Sequence, residues 1–143
     1  MKRIIAAALL VMCLPAAASA ALAESHATGV WRMANGKVTV HLAPCGSNLC
    51  GTVIGLKKPL DKQGKPKLDK ENPNASLRGR PVIGLTILSN LKPAGDGRWN
   101  GTIYNPDDGN TYNSKLRLQN ANMMKVEGCV SVFCKSMKFI RVK

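Results

Sequence analysis

The sequence is poor in the side chains that do chemistry. It holds two histidines in 143 residues. His26 falls near a terminus expected to fray. His41 alternates onto the wet face of its strand, so both read as solvated surface histidines and not as general bases. Apart from four paired cysteines, no candidate nucleophile stands beside a base, which argues against a triad. Asp107 and Asp108 adjoin each other, but neighbouring side chains in a turn diverge. No ligand pattern suggests a metal, and no glycine-rich phosphate loop precedes a helix. An enzyme is the least supported class, and neither a cofactor nor a metal is implied.

Acids and aromatics are scarce too. Eight Asp and Glu face twenty-one Lys and Arg, a formal charge of +13. Such a balance raises the question of nucleic acid. Only two Trp, two Tyr and two Phe are present, and both tryptophans are expected inside, which leaves few stacking platforms. Weak, salt-sensitive adsorption follows from the charge; specific recognition does not. No repeat and no low-complexity segment occurs. Beyond the N-terminal region no apolar run is long enough to span a bilayer.

What is present begins with an export signature. Lys2 and Arg3 precede an apolar stretch, Ile4 to Leu14, that is too short to cross a membrane. Pro15 and small residues follow. Ala18-Ser19-Ala20 and Ala21-Leu22-Ala23 both fit the small-x-small rule, so residues 1–23 read as a signal peptide cleaved after Ala23. Cys13 follows Met12, where a lipid-anchor motif has a small residue. Removing 23 of 143 residues leaves 120, and losing Lys2 and Arg3 lowers the charge from +13 to +11. Residues 24–143 are then one domain, periplasmic or secreted and not membrane-spanning.

Four cysteines remain, as Cys45/Cys50 and Cys129/Cys134. An even count behind a signal peptide reads as disulfides. Three connectivities are open. Local pairing is favoured because each pair brackets a short turn, and each such loop adds roughly 2 kcal/mol. A four-cysteine zinc site is the competing reading, and an oxidising compartment argues against it.

The rest of the chain alternates with a period of two. Gly29 to Met33 starts the fold, and Asn35-Gly36 is a strong hairpin signal. Lys37 to Leu42 alternates until Pro44 ends it. Leu49 to Leu56 follows, with a bend or bulge at Gly51 and Gly55. Val82 to Leu88 is apolar on both faces, and 92–97 is a loop. Arg98 to Leu118 is a hairpin around Asn105-Pro106-Asp107-Asp108-Gly109. On its return limb Tyr112, Ser114, Leu116 and Leu118 share the oily face. Met123 to Val130 and Lys135 to Val142 complete eight strands. The expected fold is all-β: an eight-stranded antiparallel up-and-down barrel, since closure removes exposed edges. A two-sheet sandwich is the alternative.

One connection stands apart. The loop 57–81 carries eight Lys and Arg against Asp61, Asp69 and Glu71, and its four prolines rule out a regular helix. Asp69, Glu71, Arg78 and Arg80 could pair and clamp it over a barrel end. Its lysines suit anionic head groups or acidic polymers.

Gly29-Val30-Trp31 resembles the Gly-x-Trp signature of lipocalins. Such barrels often place a basic residue of the last strand across that tryptophan, a role that fits Arg141 in cation–π contact. A fuller pattern covers nearly all of the mature chain. It runs Leu49-Cys50-Gly51, Asp69, Asn72-Pro73, Leu77-Arg78-Gly79-Arg80-Pro81-Val82-Ile83-Gly84, Trp99-x-Gly101-x-Ile103-Tyr104-Asn105-Pro106, Gly109 and Tyr112. In that order it resembles the exported bacterial family catalogued as domain of unknown function 2147. The resemblance implies a lipocalin-like barrel and brings no established activity. Asn105 departs from a common aspartate, and Phe139 from a common tryptophan.

The functional expectation is a binding module for a small apolar or amphipathic ligand, with an anionic head if it has one. Val40, Val53, Ile103, Leu116, Met124, Met137 and Phe139 would take the tail, and Arg78 and Arg80 would meet the head. Trp31 and Arg141 are structural. The alternative is a ligandless envelope protein whose basic face adheres to anionic surface polymers, lipid head groups or a protein partner.

Overall fold

The computed structural model describes residues 26–142. The expected signal segment, 1–23, lies outside the described residues. Eight strands follow in order: β1 (Gly29–Met33), β2 (Val38–Cys45), β3 (Asn48–Leu56), β4 (Thr86–Pro93), β5 (Arg98–Asn105), β6 (Asn110–Asn120), β7 (Met123–Val130) and β8 (Phe133–Arg141). Each pairs antiparallel with the next, and β1 pairs with β8 to close the barrel. The closing register sets Trp31 against Arg141 and Met33 against Phe139. Two further backbone bonds, Ala34 N–H to the Lys138 carbonyl and Val142 N–H to the Val30 carbonyl, extend that seam.

Alternation explains the interior. Trp31, Val40, Val53, Trp99, Leu116, Met124, Val126 and Phe139 are all buried and form one apolar cluster. Each large side chain of this kind contributes about 2 kcal/mol by leaving water. Both cysteine pairs close locally, Cys45 with Cys50 and Cys129 with Cys134, across the β2–β3 and β7–β8 turns.

Two expected boundaries move. Pro44 does not end β2; it lies opposite Leu49, and the strand runs to the disulfide at Cys45. A proline is tolerated there because the ladder position needs no N–H from it. β4 begins at Thr86 and not at Val82, and it runs through to Pro93. Val82 and Leu85 are buried by another route, while Ile83 between them is exposed. The Val82 N–H bonds the Lys67 carbonyl, and the Gly84 N–H bonds the Val53 carbonyl, so this stretch belongs to the preceding connection. Ile87 and Leu88, consecutive residues, are both buried, which agrees with a strand covered on both faces.

The bulges fall where glycine suggested. Pairing of β2 with β3 shifts between Thr39 and Val40, opposite Gly55, and pairing of β3 with β4 shifts on both sides of Gly51. A Cβ on Gly51 would meet Leu88 at 2.9 Å, so Leu88 takes its interior place over that glycine.

A barrel mouth and its clamped connection

The barrel has two unlike ends. One gathers the chain termini with the β2–β3, β4–β5 and β6–β7 turns. It is closed by Trp31 and Arg141. The guanidinium of Arg141 lies 4.2 Å from the Trp31 ring centroid. Its Nε donates to the Ala121 carbonyl at 2.7 Å, Nη1 to that of Thr28 at 2.8 Å, and Nη2 to that of His26. The Trp31 indole N–H donates to the Ala27 carbonyl at 2.9 Å. Gly29 makes room for this plug: a Cβ there would stand 2.8 Å from Arg141 Nη1, and its φ is +123°. The Gly-x-Trp triplet is thus a steric requirement of the closed end.

The opposite end carries the β1–β2, β5–β6 and β7–β8 turns and the connection from β3 to β4. That connection is held at many points. Lys67 N–H bonds the Pro59 carbonyl and Asp69 N–H bonds the Arg80 carbonyl, with short bridges Leu60–Pro66 and Leu68–Pro81. One 3-10 turn, Ala75–Leu77, is capped by the Asn74 side chain. The clamp is Asp69, which is fully buried. Its carboxylate accepts from Tyr104 Oη at 2.5 Å, Asn72 Nδ2 at 2.8 Å, and Arg80 Nε and Nη2 at 3.1 and 3.0 Å. Burial alone would raise the Asp69 carboxyl. The hydrogen bonds from Tyr104, Asn72 and Arg80 outweigh burial and hold it below the ordinary value. Tyr104 is pushed up by its burial and by the Asp69 charge it faces. Arg78 Nε donates to the Asn72 carbonyl at 2.7 Å. Arg78 and Arg80 therefore pin the connection, while Arg80 keeps 42% of its side chain exposed.

The neighbouring turn is organised by carboxylate and amide groups. Asp108 accepts from Tyr112 Oη at 2.7 Å and from Asn105 Nδ2 at 2.9 Å. Asn105 Oδ1 accepts the Asp107 N–H at 3.1 Å. An amide at 105 can donate to Asp108, which a carboxylate there could not do. Burial would raise the Asp108 carboxyl, but Tyr112 and the Asn110 backbone hold it down.

The sequence-derived ligand set divides by depth. Val40, Val53, Leu116, Met124 and Phe139 are at most 2% exposed and make a closed floor. Ile103 and Met137 are partly exposed, together with Met33, Val38 and Leu56, all packed against that floor. Met33, Val38 and Leu56 stand at the strand ends away from the Trp31–Arg141 plug.

Two polar groups inside the barrel were not singled out by sequence. The indole N–H of Trp99 and the hydroxyl of Ser114 are buried with no hydrogen-bond partner among the described residues. They lie on adjacent strands: Trp99 pairs with Leu116, and Ser114 with Gly101. Ser114 also pairs with Gly128, and Gly128 with Lys135, so a row of small residues crosses three strands and ends in a lysine. Gly128 lets Ile103 lie across the row, its Cγ2 standing 3.3 Å from where a Cβ would be. A lone serine on an oily face was the available signal. Among the described residues no cluster of His, Cys, Asp or Glu is placed to hold a metal ion. No described helix is long and apolar enough to cross a membrane.

A closed eight-stranded antiparallel barrel of this size, plugged at one end by tryptophan and arginine, is a lipocalin-like barrel. Residues 29–141 match the model of a family described as an uncharacterized protein conserved in bacteria (DUF2147), and the chain belongs to that family. The chain is also similar to the solved structure of protein HP1028 from the human pathogen Helicobacter pylori, described as belonging to the lipocalin family. Identity is 25% over 81% of this chain and 82% of that one, with a TM-score of 0.67. No curated protein matches. The fold suggests small-ligand binding in general. The disulfides and the bacterial family are consistent with export.

Proposed function

We propose that the protein is an exported, periplasmic or secreted, binding module for a small amphipathic ligand that enters the barrel at its apolar mouth. The observation that carries this is the pair of unpartnered groups, Trp99 Nε1–H and Ser114 Oγ–H, in an otherwise apolar interior. Buried polar groups are nearly always hydrogen-bonded, and leaving one unmade costs about 1–3 kcal/mol. Two such groups on adjacent strands form a recognition point: a donor and a donor–acceptor that a ligand's polar atom can satisfy. Ile103 and Met137 line the way in. Methionine adapts to irregular apolar partners. Val40, Val53, Met124 and Phe139 support the site within the same buried cluster, and Leu116 lies opposite Trp99 on the next strand. Arg78, Arg80 and Lys135 stand at the end where the ligand enters, and their charge would draw an anionic head toward the Trp99–Ser114 pair.

The reading supports no catalytic role, because it needs no nucleophile or base. Its test is Ser114→Ala, with dodecanoate as the probe. The unliganded variant is expected to be more stable than the parent by about 1 kcal/mol, since an unsatisfied hydroxyl is removed. Its dodecanoate affinity is expected to fall roughly tenfold, the loss of one hydrogen bond to a charged group. A destabilised variant with unchanged affinity would overturn the proposal.

A further inference from the structure

The outer wall of the barrel carries a feature independent of the mouth. Strand register sets Arg98 of β5 opposite Arg117 of β6, Arg117 opposite Lys125 of β7, and Lys125 opposite Lys138 of β8. Four cations thus stand side by side across four strands. At ordinary strand spacing the row is about 14 Å long. Like charges directly opposite each other destabilise a sheet, so this arrangement works against folding.

Local acids neutralise only half of it. Lys125 Nζ meets Glu127 at 2.8 Å, and Arg98 Nη2 meets Asp96 at 3.3 Å. Arg117 and Lys138 have no acidic partner among the described residues. Lys115, opposite Glu127 and Asn100, adds a fifth cation beside the row. A groove of about 430 Å³ is lined by Arg98, Asn100, Lys115, Arg117, Lys125 and Glu127.

We infer that this groove, which spans β5 to β7, and the adjoining Lys138 on β8 together bind a linear polymer of phosphate groups laid along the row. A compact anion would meet one or two of the cations, whereas a chain meets all four. The guanidinium forks of Arg98 and Arg117 match phosphate oxygens in pairs, and Lys125 and Lys138 add point charges. The binding is expected to weaken steeply with salt, since each neutralised charge releases a counterion.

The test uses the mature chain and linear inorganic polyphosphate, with orthophosphate at equal total phosphate and phosphatidylglycerol vesicles as separate arms. One variant carries Arg117→Glu with Lys125→Glu. The control carries Lys62→Glu with Lys65→Glu, the same change of net charge on the 57–81 connection. The ladder variant should bind polyphosphate at least tenfold more weakly, with a shallower salt dependence, while the control stays within about twofold. Orthophosphate should bind weakly and alike to all three. Equal losses in both variants would reduce the effect to net-charge adsorption and overturn the inference. Vesicle binding that depends on the ladder without polyphosphate binding would overturn it too. Arg117→Gln provides a folding check: relieved of its neighbours' charge, it should melt no lower than the parent, and polyphosphate should raise the parent's Tm more than its own.

Discussion

At the scale of single residues, Asp69 governs the connection over the barrel end. Three side chains donate to one buried carboxylate. Asp69→Ala leaves Tyr104, Asn72 and Arg80 without their acceptor, and it should cost about 3 kcal/mol in chemical denaturation. Because the folded carboxyl titrates below its ordinary value of 3.8, its stabilising effect is fully present above that value. It is lost as pH falls through the folded pKa. Thermal melts should therefore hold near-constant from neutrality to about pH 5 with respect to this group and fall below pH 4. Asp69→Asn should flatten that acid limb. Little of this was legible beforehand. The sequence put Asp69 near Arg80 as a possible pair. It gave no hint that Tyr104, on the outward phase of β5, would reach it, because that contact spans 35 positions. Ser114 was visible as a polar residue on an oily face; that it lacks a partner is a property of three strands together.

At the scale of elements, turns and period-two alternation were strong signals, and they placed all eight strands. The two errors share a cause. Pro44 and Val82 were judged by local preference, while tertiary pairing decided both: a disulfide-closed hairpin carried β2 past its proline, and backbone bonds to Lys67 and Val53 took Val82 to Leu85 out of β4. The same interplay sets the β5–β6 turn. Gly109 has φ +71°, and a Cβ on it would strike the carbonyl of Glu71. Gly46 has a similar φ, +64°, with nothing within 4 Å. Gly46→Ala should thus cost only the backbone term, about 1 kcal/mol. Gly109→Ala should cost at least about twice that and loosen the connection as well. Hydrogen exchange at the amides of Asp69 and Asn72 would speed up in the second variant and not in the first. Reducing the Cys129–Cys134 bridge, which closes a loop of short separation, should cost roughly 2 kcal/mol.

At the scale of the whole molecule, the barrel is plugged by Trp31 and Arg141 at one end and carries partly exposed apolar side chains toward the other. Its long connection is pinned beside that second end, and a cationic wall runs along the outside. Closure follows from the alternation and from the Trp31–Arg141 seam, both readable from the chain. The cationic wall was not readable, because Arg98, Arg117, Lys125 and Lys138 are far apart in sequence and meet only through register. The excess of positive charge that pointed to the 57–81 connection was in part the signature of this wall. The central claim concerns the interior, and the two indole N–H signals of a nitrogen-15 spectrum test it directly. Trp31 donates to Ala27 at the closed end, whereas the Trp99 indole has no partner among the described residues. Titration with dodecanoate should move the Trp99 indole signal and the amides of Ile103, Ser114 and Met137, and leave the Trp31 indole in place. A spectrum in which both indoles stay still while only surface lysine and arginine neighbours shift would contradict ligand binding in the barrel.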